Sequence, residues 1–239
     1  MPISDLHRFI IRTGLAAVRK QGIDGVALGG GNGLIARKVS DRYTADVDIF
    51  CRDEVTVPAA AEQICEALAD AGYQVTLRSS MIGLVEFGVA GLGDAVDPGG
   101  VTDADGSELQ IAYFGYADAG DVDGLGPVVS RNDLVGFKAA AWGTRHLERD
   151  AVDIAAAIAV GYTMRGIINL AMERDPGLEP EDWAEAMDWF DNRMKDEHLA
   201  SYCSGGLTPA SVRTALAEWP RAVDDWRVLL EAVAQEISG

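Results

Sequence analysis

The chain has few of the features that mark secreted or membrane-bound proteins. Its three cysteines, Cys51, Cys65 and Cys203, are odd in number and widely spaced, which excludes a disulfide framework and a CxxC metal site and suits a reducing compartment. No apolar run approaches the roughly 20 residues that a membrane-spanning helix needs. The first residues also lack the basic and apolar regions of a signal peptide. We therefore expect a cytoplasmic protein without membrane contact.

Positive charge is also scarce. The 20 lysine and arginine residues face 38 aspartate and glutamate residues, which gives a formal net charge of −18. Because proteins that hold nucleic acid mainly through its phosphates are basic, this balance disfavours extensive nucleic-acid contact, although it is compatible with a local basic patch. It favours a small or cationic substrate, or a basic partner protein. His7 and His146 are too isolated to predict a histidine base or a zinc site.

The order of apolar patterns predicts an α+β protein. Helical spacing of apolar residues occurs at 3–22 and 57–72, and short apolar or alternating runs predict strands at 25–28, 45–51, 73–79, 83–90 and 108–116. From Arg131 onward the pattern is helical. We predict a core at 1–128, with a mixed sheet and flanking helices, and a helical domain at 129–239. A linker rich in Gly and Asp at 91–107 predicts a hairpin loop or a lid.

The stretch LGGGNGLIARKVSDRYTADVDIF, residues 28–50, combines a glycine turn with two aspartates on a predicted strand. Asp46 and Asp48 are two residues apart, so their carboxylates share one face of the strand and repel each other unless a cation lies between them. Magnesium suits such a pair. The glycines lead into a short predicted helix, with Asn32 as its N-cap, and such a turn offers backbone N–H groups to a phosphate. The structural alternatives are an exposed acidic strand face and a tight turn packed against a neighbouring strand.

The residues GGNGL at 30–34 and DRYTADVDIF at 41–50 resemble the signature of the nucleotidyltransferase AbiEii/AbiGii toxin family, within the DNA polymerase β-like superfamily. Members of that family read approximately GG-[TSN]-A-L, then a spacer, then R-[ST]-x-D-[VIL]-D-[LF]. This chain departs from the pattern at Gly33, where alanine is commoner. The resemblance implies a polymerase β-like core followed by a helical half.

A second group of residues lies in the helical half. Lys138 is at the edge of the apolar stripe of a predicted helix, and Asp153 lies within the otherwise apolar run AVDIAAAIAV. A charge in such a setting costs several kcal/mol unless it is paired or belongs to a site. The structural alternatives are a Lys138 whose ammonium reaches water along a packed stem, and an Asp153 in a buried salt bridge to Arg145 or Arg149.

Both residues match a later motif of the same family, D-[LI]-x-x-x-K-x-x-A, an Arg, then R-D-x-x-D-[IL]. The matching residues here are Asp133, Leu134, Lys138, Ala141, Arg145, Arg149, Asp150, Asp153 and Ile154. By this resemblance, Lys138 contacts nucleotide phosphates, and Asp153 is a further essential acid that helps orient a metal or the attacking group.

The resemblance implies a magnesium-dependent enzyme that moves a nucleoside monophosphate from an NTP to an acceptor hydroxyl. Asp46 and Asp48 would bind one or two Mg²⁺ ions, with Lys138 and Asp153 completing the catalytic set. Gly30, Gly31, Asn32 and Thr44 would bind the nucleotide together with Lys138. Arg42 would contact a phosphate or pair with an aspartate. The family also suggests a toxin that acts on the 3′ end of tRNA and has a cognate antitoxin protein.

Related enzymes often carry a third metal-binding carboxylate on a neighbouring strand. On the predicted strand 108–116 that position falls near Gln110, a poor magnesium ligand, and Glu108 or Asp153 would have to serve instead. This departure keeps open an inactive NTP-binding interaction module as one alternative function. The net charge of −18 keeps open a second alternative, nucleotidyl transfer to a small acceptor such as a cationic aminoglycoside.

Overall fold

A computed structural model describes residues 3–91 and 106–238 of the chain. It divides into two compact units, Met1–Arg131 and Asn132–Gly239. The boundary expected from the sequence, after residue 128, lies three residues earlier. Most of the linker for which a hairpin loop or lid is predicted lies outside the described residues.

The first unit is a seven-stranded mixed sheet with helices. Its helices are α1 (Asp5–Lys20), α2 (Gly30–Ala36) and α3 (Val57–Asp70); its strands are β1 (Val26–Leu28), β2 (Asp46–Cys51), β3 (Tyr73–Met81), β4 (Leu84–Gly91), β5 (Ser107–Tyr113), β6 (Ala119–Val122) and β7 (Gly126–Val129). The strand order is β3-β4-β5-β2-β1-β7-β6. The pairs β2–β5 and β1–β7 are parallel, and the other pairs are antiparallel. The predicted α+β class, a mixed sheet with flanking helices, is confirmed.

The core of this unit lies on one face of the sheet. Val47, Ile49 and Cys51 alternate along β2 and join one buried cluster with apolar residues of α1 and α3. The chain places Asp46 and Asp48 at the intervening positions, so period-two alternation sends them to the opposite face. Burial of the apolar face therefore fixes the direction in which the two carboxylates point.

The sequence reading of this unit missed one hairpin and misplaced the start of one helix. No strand was predicted between residues 117 and 130, where β6 and β7 form a hairpin and β7 pairs with β1 through Leu28 and Val128. Four-residue strands among glycines and aspartates are too short to show alternation, and only the pairing of β6 with β7 and of β7 with β1 defines them. The short helix α2 begins at Gly30, with Gly29 as its N-cap, so Asn32 lies inside the helix and is not its cap.

The second unit is helical within the described residues, as predicted from Arg131 onward. The series starts with α4 (Arg131–Arg145), whose first residue closes the first unit, and continues with α5 (Glu148–Ala159), α6 (Met164–Arg174), α7 (Pro180–Asn192), α8 (Asp196–Tyr202), α9 (Pro209–Leu216) and α10 (Trp219–Ser238). Trp142, Trp183 and Trp219 are fully buried and anchor its core.

Across 3–91 and 106–238, helices are too short or too polar to traverse a bilayer. Cys51, Cys65 and Cys203 are free, as expected.

Candidate functional site

Asp46 and Asp48 lie on the polar face of β2 and are both half-buried, while Val47 and Ile49 are buried on the other face. Their α-carbons are roughly 7 Å apart, as residues i and i+2 of a strand must be. The parallel partner β5 places Glu108 beside Asp46 and Gln110 beside Asp48. The carboxylates therefore face the same way, into a polar surface shared with the neighbouring strand.

The glycine turn packs directly against β2. A β-carbon on Gly30 would lie 1.6 Å from the Oδ2 atom of Asp48, and the residue has a φ of +52°. A β-carbon on Gly29 would lie 2.4 Å from the ring of Phe50. Close packing of a tight turn, one of the alternatives left by the sequence, therefore accounts for these glycines. The same packing brings the backbone of the turn next to a carboxylate of the aspartate pair.

Asn32 connects α2 to the start of β2. Its side chain is fully buried, and its amide nitrogen donates to the backbone oxygen of Asp46 over 2.7 Å. The same nitrogen is 3.2 Å from Nδ1 of His7, and Nε2 of His7 is 3.0 Å from the hydroxyl oxygen of Ser107. With the amide in this orientation, Nδ1 of His7 accepts and Nε2 donates. Asn32 and His7 thus fix the backbone that carries Asp46, and the Oδ1 atom of Asn32 is buried without a hydrogen-bond partner.

Thr44 and Arg42 lie in the segment that leads into β2, and both side chains are buried. The hydroxyl of Thr44 donates to Oδ1 of Asp46 over 2.6 Å, which orients that carboxylate. Arg42 donates from Nη1 to the backbone oxygen of Tyr43 over 2.9 Å. A β-carbon on Gly31 would lie 2.9 Å from Oγ1 of Thr44 and 3.3 Å from Nη2 of Arg42. The motif residues 30–32, 42, 44, 46 and 48 are therefore packed together in one place.

Glu86 is a lining residue that the sequence reading missed. It lies directly across from Gln110 in the β4–β5 pair, and Gln110 donates from Nε2 to its Oε1 over 3.1 Å. A second, longer contact of 3.4 Å joins Gln110 to Glu108. Asp48, Gln110 and Glu86 thus form one row across three strands. The alternation in β4 puts Glu86 on a polar face, but only the strand pairing places that face beside Asp48.

The donor set on β2 fits a magnesium ion that is shared with a substrate. Two carboxylates supply hard oxygen ligands, and Mg²⁺ is usually bound by one or two carboxylates together with waters and substrate phosphates. Within the described parts of the chain, no group of three or more His, Cys, Asp or Glu side chains could hold a metal ion. A magnesium ion held by these two carboxylates would take its remaining oxygen ligands from water or from substrate phosphates.

Lys138 and Asp153 belong to a buried charge cluster in the second unit. Nζ of Lys138 is 3.3 Å from Oδ1 of Asp150 and 3.4 Å from Oδ2 of Asp153, and the side chain of Lys138 is only 12% exposed. Arg145 donates to both carboxylate oxygens of Asp150, over 2.8 and 3.0 Å. The alternative of a solvated Lys138 ammonium is therefore wrong. Asp153 is in a buried salt bridge as anticipated, with Lys138 as a partner that the sequence did not suggest.

Asp150 contacts both cations of this cluster, Lys138 and Arg145. Burial alone would raise the pKa of its carboxyl group, but the charge of Lys138 and the hydrogen bonds and charge of Arg145 outweigh burial. The pKa of Asp150 consequently lies below its ordinary value of 3.8. Asp133, the first residue of the matched motif, also forms an ion pair within the unit, with Nη1 of Arg174 2.7 Å from its Oδ1 atom. That Lys138 and Asp153 act together with Asp46 and Asp48 stays a prediction.

Comparison with known proteins gives structural similarity only. No family model and no curated protein matches the chain. JHP933 of Helicobacter pylori aligns with a TM-score of 0.52 and 14% identity over 95% of this chain and 96% of its own. A candidate nucleotidyltransferase of H. pylori aligns with a TM-score of 0.53 and 13% identity over 94% of this chain and 99% of its own.

A third structure is that of MenT4, the nucleotidyltransferase toxin Rv2826c of Mycobacterium tuberculosis H37Rv. It aligns with a TM-score of 0.49 and 16% identity over 91% of this chain and 80% of its own. This score is too low to support an argument. The first two alignments cover nearly the whole of both chains, and from them we conclude that this chain shares the fold of the two H. pylori proteins.

Proposed function

We propose that the protein is a magnesium-dependent nucleotidyltransferase that transfers a nucleoside monophosphate from an NTP to an acceptor hydroxyl. The observation that carries the proposal is the contact between the glycine turn and the aspartate pair, with Gly30 packed against the carboxylate of Asp48. Tight packing accounts for the glycines, and it also places the backbone of the turn, which can offer N–H groups to a phosphate, beside that carboxylate. The fold shared with a candidate nucleotidyltransferase agrees with this assignment.

The reaction forms a bond between the acceptor oxygen and the α-phosphorus and breaks the bond from that phosphorus to the pyrophosphate oxygen. Asp46 and Asp48 would hold one or two magnesium ions, and these would supply charge neutralisation for the phosphate that is transferred. Thr44 holds the Asp46 carboxylate in place, and Asn32 holds the backbone of Asp46. The proton of the acceptor leaves to solvent or to a nearby carboxylate. The rate acceleration would come from positioning the reacting groups and neutralising the phosphate charge, as is general for phosphoryl transfer.

The nucleotide would be held near the turn at 30–32, with Arg42 close to Gly31. Lys138 would neutralise phosphate charge, and Asp153 would orient the metal or the attacking group, as the family motif implies. In this proposal Asp150 and Arg145 keep the Lys138 ammonium and its partners in a defined arrangement.

For the acceptor, we favour the 3′ end of tRNA and a role as the toxin of a toxin–antitoxin pair. The support is the motif resemblance at 30–50 and 133–154. The net charge of −18 leaves room for a basic antitoxin as the cognate partner.

A second candidate, transfer to a small cationic acceptor, is favoured by a different observation. Glu86 and Glu108 extend the acidic surface beside Asp46 and Asp48 onto two further strands. Such a surface attracts ammonium groups and repels a polyanion. Gln110, which stands beside Asp48 without a charge, is the feature that would agree with the third candidate, an inactive NTP-binding module.

The experiment that tests the proposal is incubation of the protein with α-labelled NTPs, Mg²⁺ and total tRNA, with Asp48→Asn beside the wild type. Asparagine keeps the shape that packs against Gly30 but removes the charge, so we expect a normal melting temperature and loss of transfer. Asp70→Asn, on the exposed end of α3, is the matched control. Labelled tRNA supports the first acceptor, and label only on an added aminoglycoside supports the second. NTP binding without any transfer supports the third candidate, and full activity of Asp48→Asn contradicts the metal site.

A further inference from the structure

The first unit contains a cavity of about 430 Å³ between α1 and the turn that joins β6 to β7. Its lining combines cations with apolar side chains, among them Arg12, Leu15, Arg19, Lys20, Leu125 and Pro127. Leu15 and Leu125 are buried, whereas the three cations are exposed. The cavity therefore has an apolar inner wall and a cationic mouth.

The hairpin turn forms one wall of this open cavity and packs onto the helix that forms the other. A β-carbon on Gly126 would lie 3.6 Å from Cδ1 of Leu15, so the turn backbone is in van der Waals contact distance of α1. Arg19 also donates from Nη2 to Oδ1 of Asp121 in β6, over 2.8 Å. The packing of Gly126 beside Leu15 thus sets the two walls next to each other, while the exposed Arg19–Asp121 pair adds little stability.

The charge of the cavity mouth contrasts with that of the chain. Three cations meet there in a protein whose net charge is −18. Arg19 is paired with Asp121, but neither Arg12 nor Lys20 has a carboxylate partner among the described residues. Arginine and lysine bind phosphate oxygens well, and arginine can do so through two parallel hydrogen bonds.

The cavity is separate from the aspartate pair. Leu15 lies in the core cluster together with Val47 and Ile49, so α1 covers the face of the sheet opposite to Asp46 and Asp48. A ligand held by Arg12 and Lys20 thus does not compete for the carboxylates on β2.

We propose that this cavity binds a phosphate-bearing small molecule of nucleotide size. Its volume is within the roughly 300–1,000 Å³ of small-molecule sites, and its apolar wall suits the non-charged body of such a ligand. A nucleic-acid strand fits less well, because Asp121 and Asp123 on the same hairpin are exposed and would repel an extended polyanion. The inference does not depend on the proposed transfer reaction.

The test is isothermal titration with ATP and with inorganic pyrophosphate in EDTA, which removes magnesium from the aspartate pair. We expect saturable binding that Arg12→Ala/Lys20→Ala weakens by at least about tenfold, as loss of two charge-assisted hydrogen bonds requires. Arg193→Ala/Lys195→Ala, which changes the net charge equally at two exposed residues of the second unit, should leave the affinity unchanged. Asp46→Asn/Asp48→Asn should also leave it unchanged.

Four outcomes would overturn the inference. They are the absence of binding by either probe at millimolar concentration, equal weakening in the two double variants, loss of binding in Asp46→Asn/Asp48→Asn, and binding of a 12-nucleotide RNA but not of ATP through Arg12 and Lys20. Because the readout is binding without metal, loss of transfer activity in Asp48→Asn bears only on the proposed reaction.

Discussion

Gly30 and Asp48 are packed so closely that residue 30 has no room for a side chain. A β-carbon at Gly30 would lie 1.6 Å from Oδ2 of Asp48 and 2.3 Å from its Cγ. The glycine motif and the aspartate motif, which are separated along the chain by a helix and a loop, are thus one structural feature.

Gly30→Ala should therefore disrupt both stability and activity. The added methyl group must displace either the Asp48 carboxylate or the turn, and the φ of +52° adds backbone strain of about 1 kcal/mol. We expect the free energy of unfolding to fall by about 2–4 kcal/mol, the range of an overpacked core site with strain added, and transfer activity to be lost. Urea denaturation and the labelled-NTP assay measure the two effects.

The control for this change is Gly22→Ala. Gly22 also has a positive φ, +68°, but nothing lies within 4 Å of its hypothetical β-carbon. Gly22→Ala should lower the free energy of unfolding only by the cost of backbone strain, and it should leave transfer activity unchanged. Equal stability losses in the two variants would show that the contact with Asp48 is unimportant.

Thr44→Val tests whether the orientation of the Asp46 carboxylate matters, because the substitution leaves the charge of Asp46 unchanged. Valine matches threonine in size but cannot donate the 2.6 Å hydrogen bond to Oδ1 of Asp46. We expect the transfer rate to fall by about tenfold and the Mg²⁺ concentration for half-maximal rate to rise, in line with mutations of groups that orient metal ligands. A Thr44→Ser variant keeps the hydroxyl and should keep most of the rate. If valine and serine behave alike, the hydrogen bond does not orient a metal ligand.

Lys138→Met tests the charge cluster of the second unit. Methionine keeps most of the packed stem but leaves Asp150 and Asp153 without the ammonium that lies 3.3 and 3.4 Å from them. Breaking a buried ion pair on one side costs about 3–5 kcal/mol, and we expect a loss of that order in urea denaturation. Lys138→Met/Asp153→Asn removes a charge from each side and should recover part of it. Unchanged stability in Lys138→Met would show that the ammonium is solvated.

The catalytic role given to Lys138 has its own readout. Lys138→Arg keeps a cation and should stay folded, so its KM for NTP and its kcat report on phosphate contact without the loss of stability. If Lys138→Arg has an unchanged KM for NTP and an unchanged kcat while Lys138→Met is destabilised, Lys138 has only a structural role.

Acid should weaken the second unit through Asp150. Because the pKa of Asp150 in the folded protein lies below the ordinary value of 3.8, its charge stabilises the fold fully above that value, and the contribution is lost as the pH falls through the folded pKa. Asp150→Asn has no such contribution at any pH. The difference in unfolding free energy between wild type and Asp150→Asn should be constant above about pH 5 and shrink below about pH 4. A constant difference down to pH 3 would contradict the lowered pKa.

Much of the candidate site could be predicted from the sequence because the relevant patterns are local. Alternation along 46–51 is enough to put two carboxylates on one face of a strand, and the glycine run is enough to predict a turn before a short helix. The apolar spacing after residue 131 likewise predicts helices. In each case the residues that produce the pattern lie within a few positions of the feature. Over so short a range, backbone geometry alone determines in which direction each side chain points.

The remaining features were decided by contacts between segments that are distant along the chain. Strand pairing places Gln110 and Glu86 in one row with Asp48, and no local pattern sets that register. Helix packing selects Asp150 as a partner of Lys138, so the lysine is buried where its own helix would have allowed it to reach solvent. The sequence by itself thus determined which faces are acidic, glycine-rich or apolar, whereas the tertiary structure decided which of those faces meet. The physical reason is that a β-carbon's direction follows from its own backbone, but its neighbours follow from the packing of the whole unit.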